Sequence, residues 1–171
     1  MLTTSQLKTL LHTHNLRLTK RLGQHHLVDA RAIQRIIDQC ALSAHEAVVE
    51  IGAGLGALTE PIARRSARVA AVEVDAGIAA LLVERVGALG LGNVTVIQQD
   101  ILTFDWEAAA PAVAVGAIPY QITSPILVAL TQARRYIRRA VLVMQHEVAR
   151  RLIATPGTKS YGRLSVLGQY G

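Results

Sequence analysis

Three closely spaced glycines, Gly52, Gly54 and Gly56, mark the stretch of this sequence best suited to bind a ligand. Glycine lets a ligand lie against the backbone, and a helix that follows offers free N–H groups. Together with Ala57 the stretch matches the pattern G-x-G-x-x-A of dinucleotide sites, and Glu73 follows about 20 residues later. A carboxylate at that place accepts hydrogen bonds from ribose hydroxyls. The turn therefore predicts a cofactor that contains a ribose, without separating a dinucleotide from another nucleoside.

Asp100 distinguishes between these two classes of cofactor. It follows the third predicted strand, where its carboxylate could accept a hydrogen bond from the exocyclic amine of an adenine, and dehydrogenase fingerprints do not require it. The fourth predicted strand runs into Ile118-Pro119-Tyr120, at the end of the strand where doubly wound sheets bind ligands. Tyr120 could stack on a base at this place.

Seven motifs in a fixed order identify a family that this sequence resembles. They are Gly23-Gln24-His25-His26-Leu27, Glu50-Ile51-Gly52-Ala53-Gly54-Leu55-Gly56, Glu73-Val74-Asp75, Gln99-Asp100, Ile118-Pro119-Tyr120, Gln145-His146-Glu147-Val148 and Lys159-Ser160-Tyr161-Gly162-Arg163-Leu164-Ser165-Val166. In this order they closely resemble the S-adenosylmethionine-dependent rRNA adenine dimethyltransferases. The resemblance implies a Rossmann-like methyltransferase fold and methyl transfer to N6 of adenines in small-subunit rRNA.

The resemblance also implies a role for individual residues. Gln24 and Leu27 would contact the methionine end of S-adenosyl-L-methionine, Glu73 its ribose and Asp100 its adenine amine, while Tyr120 would contact the target base. The full set implied for the cofactor is Gln24, His25, Leu27, Glu50, Gly52, Gly54, Gly56, Glu73, Val74, Asp100, Ile101 and Ala117. The set implied for catalysis is Ala117, Ile118, Pro119 and Tyr120.

Two residues depart from the pattern of the family. Ala117 stands where the family has an asparagine that would accept a hydrogen bond from the target amine, and His26 replaces a phenylalanine. Ala117 therefore supports an alternative hypothesis, a cofactor- and RNA-binding module with impaired methyl transfer. An NAD-dependent oxidoreductase is a further alternative, based on the glycine pattern alone. The family continues with further strands and a small helical domain, so the resemblance implies a chain that is incomplete at its carboxyl end.

Short apolar runs alternate with amphipathic segments along the chain. Strands are predicted at 47–51, 68–74, 94–98, 113–116 and 140–144, and helices after Asp29, at 57–65, across 78–89 and around Leu164. Continuous apolar strands that alternate with helices predict a mainly parallel, doubly wound α/β sheet. We expect one methyltransferase domain over 29–171 and a basic amino-terminal arm over 1–28, with no internal repeat.

The composition narrows the classes of partner and environment. The 171 residues carry a formal net charge of +6, which favours a polyanionic partner such as RNA. Arg134, Arg135, Arg138 and Arg139 are either a phosphate-contacting patch or a solvated face. Cys40 is the only cysteine, so an intramolecular disulfide is excluded and a cytoplasmic location is expected. No apolar run is long enough for a membrane helix, and we expect neither a membrane partner nor a metal site, in a protein that is monomeric.

Overall fold

The computed structural model describes residues 29–118 and 122–170, and its centre is a sheet of five parallel strands in the order β3-β2-β1-β4-β5. The strands are β1 (Ala47–Ile51), β2 (Arg68–Glu73), β3 (Val94–Gln98), β4 (Ala112–Ala117) and β5 (Ile137–Val143). Every pair of neighbours is parallel, which confirms the predicted doubly wound α/β class.

Helices connect the strands and cover both faces of the sheet. They are α1 (Ala30–Cys40), α2 (Thr59–Ala63), α3 (Ala76–Ala88), α4 (Trp106–Ala109), α5 (Thr123–Gln132), α6 (His146–Leu152) and α7 (Arg163–Tyr170), with short 3-10 turns at Ile101–Thr103 and Arg134–Tyr136. Helix α1 begins where the sequence predicts, because the Asp29 carboxylate accepts hydrogen bonds from the N–H groups of Arg31 and Ala32.

Alternate strand residues enter two separate cores, one on each face of the sheet. Val48 packs with residues of α1, α2 and α3, among them Ile37, Ile62 and Leu82. Its neighbour Val49 packs on the other face, where α4 and α5 supply the core residues Trp106, Ile126 and Leu130. Because both faces are covered, the strands have continuous apolar sequences rather than alternating ones.

Several elements differ from the predicted boundaries by one to three residues, and the differences at α2 and β5 have a clear structural origin. Helix α2 is shorter than the predicted span of 57–65, because residues 54–58 continue the turn that follows β1. Strand β5 begins at Ile137 rather than at residue 140, because Ile137 pairs with Ala112 at the start of β4. Arg138 and Arg139 therefore belong to a strand, where pairing with β4 sets the local structure.

Arg139 joins this strand to the end of α1. Its guanidinium makes an ion pair with Glu46, with Nη1 and Oε1 2.6 Å apart, and it donates hydrogen bonds to the carbonyl oxygens of Cys40 and Ala41. The bonds to Arg139 and to the backbone N–H of Ser43 hold the pKa of Glu46 down at about 2. Arg139 therefore ties β5 to the end of α1, and its guanidinium is already bound by groups of the protein.

Candidate functional site

The carboxyl ends of β1, β2 and β4 meet at one edge of the sheet. Strand β1 lies between β2 and β4. The chain adds β2 and β3 on one side of β1, and then returns to the other side of β1 to add β4 and β5. Ligands of open α/β sheets bind in the crevice that forms at such a reversal of strand order. The sequence-predicted residues Gly52, Glu73 and Ala117 follow or end these three strands, so the fold brings them to this crevice.

The glycine turn after β1 uses backbone conformations that favour glycine. Gly52, Gly54 and Gly56 have φ values of 67°, 56° and 80°. A Cβ on Gly52 would meet nothing within 4 Å, whereas one on Gly56 would lie 2.6 Å from Cδ1 of Leu82. Gly56 thus allows the turn to pack on α3, and Gly52 leaves open space in front of the backbone.

Glu73 fixes this turn from the end of β2. Its Oε2 accepts a hydrogen bond from the N–H of Gly54 at 2.9 Å, and its Oε1 accepts one from the N–H of Asp75 at 3.0 Å. The side chain is buried. A carboxylate offers about four acceptor positions, so each oxygen retains one for a further donor. Glu73 can therefore accept from a ribose hydroxyl while it holds the turn.

Glu50 lies deeper, inside β1. Its side chain is 2% exposed, and the hydroxyl of Thr59 donates to its Oε2 at 2.5 Å. Burial raises the pKa of Glu50 to about 8, so the carboxyl group is largely neutral at pH 7. Thr59 was not predicted as a site residue, and the only signal for it was an acid inside an apolar strand that needs a buried partner. The hydrogen bond between Thr59 and Glu50 therefore links the start of α2 to β1, on the two sides of the glycine turn.

The β3 side of the crevice carries an exposed acid, Asp100, directly before a short 3-10 turn. Asp100 is exposed, and its Oδ1 accepts from the N–H of Leu102 at 3.0 Å while Ile101 is buried beside it. Val74, which follows β2, and Leu102, in the turn after Asp100, are 46% and 41% exposed. An exposed acceptor with exposed apolar side chains on the neighbouring turns is compatible with a flat heteroaromatic ring that carries an amine.

The β4 side of the crevice is formed by Ala117 and Ile118. Ala117 is half-buried and pairs with Val143, and the N–H of Ile118 donates to the Val143 carbonyl oxygen at 2.8 Å. The preceding Gly116 lets β4 approach β1, since a Cβ there would lie 2.8 Å from the carbonyl oxygen of Ile51. The other predicted site residues, which are Gln24, His25, Leu27, Pro119 and Tyr120, lie outside the described residues.

The described residues contain neither a candidate metal-ligand cluster nor a candidate membrane-spanning helix. Across residues 29–118 and 122–170, no cluster of three or more His, Cys, Asp or Glu side chains could hold a metal ion. Over the same residues, no helix is both long enough and apolar enough to cross a membrane.

Comparisons with known proteins give the relatives of this fold and site. The family model described as ribosomal RNA adenine dimethylase matches residues 15–171. A curated relative, ribosomal RNA small subunit methyltransferase A of Bacillus thuringiensis, is 38% identical over 98% of this chain. The match covers 60% of that relative, so the chain spans less than two thirds of its length.

Two solved structures share the fold. A dimethyladenosine transferase from Plasmodium falciparum superposes with a TM-score of 0.76 and 28% identity, over 84% of this chain and 51% of that one. The 23S rRNA methyltransferase ErmE gives a TM-score of 0.71 and 36% identity, over 84% of this chain and 55% of that one. With the family model matched from residue 15 to residue 171, these relatives place the sequence unambiguously: the chain belongs to the ribosomal RNA adenine dimethylase family.

Proposed function

We propose that this chain binds S-adenosyl-L-methionine at the carboxyl edge of its sheet and carries out methyl transfer to N6 of adenines in small-subunit rRNA. The observation that carries the proposal is the pairing of Glu73 with the N–H of Gly54, because it joins two residues implied in cofactor binding into one pocket wall. The names of the curated and solved relatives support the RNA substrate.

The described residues fit the adenosyl part of such a cofactor. The open space before Gly52 accommodates a ligand against the backbone, and Glu73 retains acceptor positions for ribose hydroxyls. Asp100 retains acceptor capacity for the adenine amine, and Val74 and Leu102 are exposed apolar side chains that can contact the ring. Ile101 contributes to the buried floor beneath them.

The chemistry needs alignment more than strong acids or bases. When bound, S-adenosyl-L-methionine supplies a methyl group on a positively charged sulfur. The N6 of the target adenine would accept that methyl group, with S-adenosyl-L-homocysteine as the leaving group and an N6 proton lost to water. The protein orients the nucleophile, and proximity and orientation are large contributions to such rates. The carbonyl oxygens near the end of β4 are suitable acceptors for the N6 hydrogens, and Ala117 adds no side-chain acceptor to them.

Isothermal titration of the 171-residue chain with S-adenosyl-L-methionine and, separately, with NAD tests the cofactor. We expect binding of S-adenosyl-L-methionine and none of NAD, because the family is defined by methyl transfer. A second assay follows tritium from the labelled methyl group into small-subunit rRNA. Binding of NAD alone, or the absence of methyl incorporation in a preparation that binds S-adenosyl-L-methionine and RNA, would overturn the proposal.

A further inference from the structure

Four exposed cations lie together on the last two helices. Arg150 and Arg151 are in the last turn of α6, Arg163 is the first residue of α7, and Lys159 lies in the loop between them. These four residues are called the α6–α7 basic patch. Glu147, on the first turn of α6, is the only acid between residues 146 and 171.

Hydrogen bonds hold the patch in place by tying α7 to the end of α6. The hydroxyl of Ser165 donates to the carbonyl oxygen of Arg151 at 2.5 Å and accepts from the N–H of Gly162. Gln169 donates to the Ala154 carbonyl oxygen at 2.8 Å. Helix α7 packs against α5 as well as α6. Arg151 and Arg163 are therefore fixed at the same end of the helix pair.

The cations of this patch have no internal partner. In the part of the chain that the structure describes, none of the four side chains makes an ion pair or a side-chain hydrogen bond. Three of the four arginines in the run singled out in the sequence differ in this respect, and Arg134 donates to the carbonyl oxygen of Thr131. Arg139 is paired with Glu46, and Arg135 lies 4.6 Å from the ring centroid of Tyr136 and bonds to its hydroxyl. Unpaired cations are the ones free to bind a phosphate.

Helix α6 connects the patch to the edge of the sheet where the crevice opens. Helix α6 starts at His146, directly after the carboxyl end of β5, and its seven residues extend about 10 Å. Arg134 and Arg135 precede β5, so a strand of seven residues, about 23 Å long, separates them from that edge. Along the chain, the patch is therefore closer to that edge than Arg134 and Arg135 are, which favours the patch as the contact for a polyanion that reaches Ala117.

We infer that the α6–α7 basic patch binds the phosphate backbone of the RNA whose base enters the crevice. The inference rests on the proposed function. It assigns the RNA contact to this patch, whereas the sequence indicated the arginine run between residues 134 and 139 as a candidate. Ile153, 73% exposed beside Arg150 and Arg151, adds an apolar contact for a sugar or base. Phosphate contacts position the RNA and contribute salt-dependent affinity without reading its sequence.

Two triple variants with equal charge change test the inference. One is Arg150→Gln/Arg151→Gln/Arg163→Gln, and the matched control is Arg134→Gln/Arg135→Gln/Arg138→Gln. Fluorescence anisotropy follows the binding of a labelled RNA hairpin with an adenine-containing loop over a range of salt concentrations. We expect the first variant to bind about tenfold more weakly and to lose about 2 from the slope of log affinity against log salt, at about 0.7 per contact. The control should change both values much less.

Equal losses in the two variants, or a loss confined to the control, would overturn the inference. Thermal unfolding of both variants should match the parent, since all six side chains are exposed. Titration with S-adenosyl-L-methionine separates a failure of the patch from a failure of the proposed function. A parent that binds the cofactor and RNA, with both variants unchanged, refutes the patch alone, whereas a parent that binds no RNA refutes the patch and the proposed function together.

Discussion

The two edges of the sheet use their charged residues differently. At the carboxyl edge, Glu73 and Asp100 surround a glycine turn and keep acceptor capacity for a ligand. At the amino edge, Arg139 and Glu46 neutralise each other, and Glu107 accepts from the Tyr136 hydroxyl. The first set retains acceptor positions beside the glycine turn, whereas the second set is paired within the protein.

This contrast shows why residue type alone is a poor guide to which cations are available to a ligand. The four arginines between residues 134 and 139 are the densest cationic run in the sequence, yet they begin at the edge opposite the crevice. Strand direction decides which edge a residue occupies, and partners decide whether its charge is available. Substitutions at matched positions on the two edges test both factors.

The largest effect is expected at Ala117, which ends β4 at the carboxyl edge. Ala117→Asn adds a side-chain oxygen that can accept from the target amine, and we expect an increase of about 10²–10³ in single-turnover methyl transfer, the size found for a single well-aimed hydrogen-bonding group. Ala117→Leu adds a similar volume without the oxygen and is the control. An equal rate in the parent and the asparagine variant would show that a side-chain acceptor at position 117 does not contribute to methyl transfer.

The next effect compares one carboxylate from each edge. Glu73→Ala should weaken S-adenosyl-L-methionine binding about ten- to a hundredfold, since hydrogen bonds to a carboxylate contribute about 1.5–3 kcal/mol. Glu107→Ala removes a carboxylate at the amino edge and should leave that affinity unchanged. Isothermal titration measures both variants, and parallel losses in the two would contradict the assignment of Glu73 to the ribose.

A third test uses the pH dependence of stability at Glu50. Its pKa is raised to about 8, so the folded protein binds more protons than the unfolded chain between about pH 4.5 and pH 8. The stability that Glu50 contributes is therefore complete below about pH 4.5 and is lost as the pH rises towards 8.

We expect the parent to lose at least about 1.4 kcal/mol more than Glu50→Gln between about pH 5 and pH 8, the equivalent of one pKa unit. Urea unfolding at the two pH values measures the difference. Parallel profiles in the parent and the glutamine variant would show that Glu50 is ionised in the folded protein.

The smallest effect is expected at the amino edge, where neighbouring arginines provide the comparison. Arg139→Ala should lower the free energy of unfolding by about 1 kcal/mol at neutral pH, a value reduced by partial exposure to solvent. Arg138→Ala, at an exposed position, should stay within about 0.5 kcal/mol of the parent.

The pH dependence at this pair has the opposite sign to that of Glu50. The pKa of Glu46 is lowered to about 2, so the stability from the pair is present above about pH 4.5 and is lost as the pH falls towards 2. The gap between Arg139→Ala and the parent should close over that range. A gap independent of pH would mean that Arg139 acts through the Cys40 and Ala41 carbonyl oxygens alone.

Much of this architecture is predictable because its signals are local. Apolar runs predict the five parallel strands, and the Asp29 cap predicts the start of α1. The glycine turn and Glu73 are also predicted, since parallel strands bring their carboxyl ends to one edge. The finer bounds of α2 and β5 are not, because they depend on a continued turn and on pairing with β4.

The partners of single charged residues could not be predicted from the sequence. Arg139 and Glu46 are 93 positions apart, and nothing local links them. Thr59 is close to Glu50 in sequence, yet only the fold of the turn turns its hydroxyl towards the buried carboxyl group. The predicted roles of Gln24, His25, Leu27, Pro119 and Tyr120 stay predictions, as do the cofactor contacts of the described residues.

The strand order means that one part of the sheet, β1 to β3, is synthesised before the other part, β4 and β5. β1, β2 and β3 are neighbours both along the chain and in the sheet, so all the residues needed for their pairing are available once Gln98 has left the ribosome. The bond between Glu73 and Gly54 lies within this first half. We therefore expect the ribose side of the crevice to assemble during translation, before β4 exists. Until β4 arrives, the outer edge of β1 is unpaired, and this edge is where a nascent chain would be most open to aggregation.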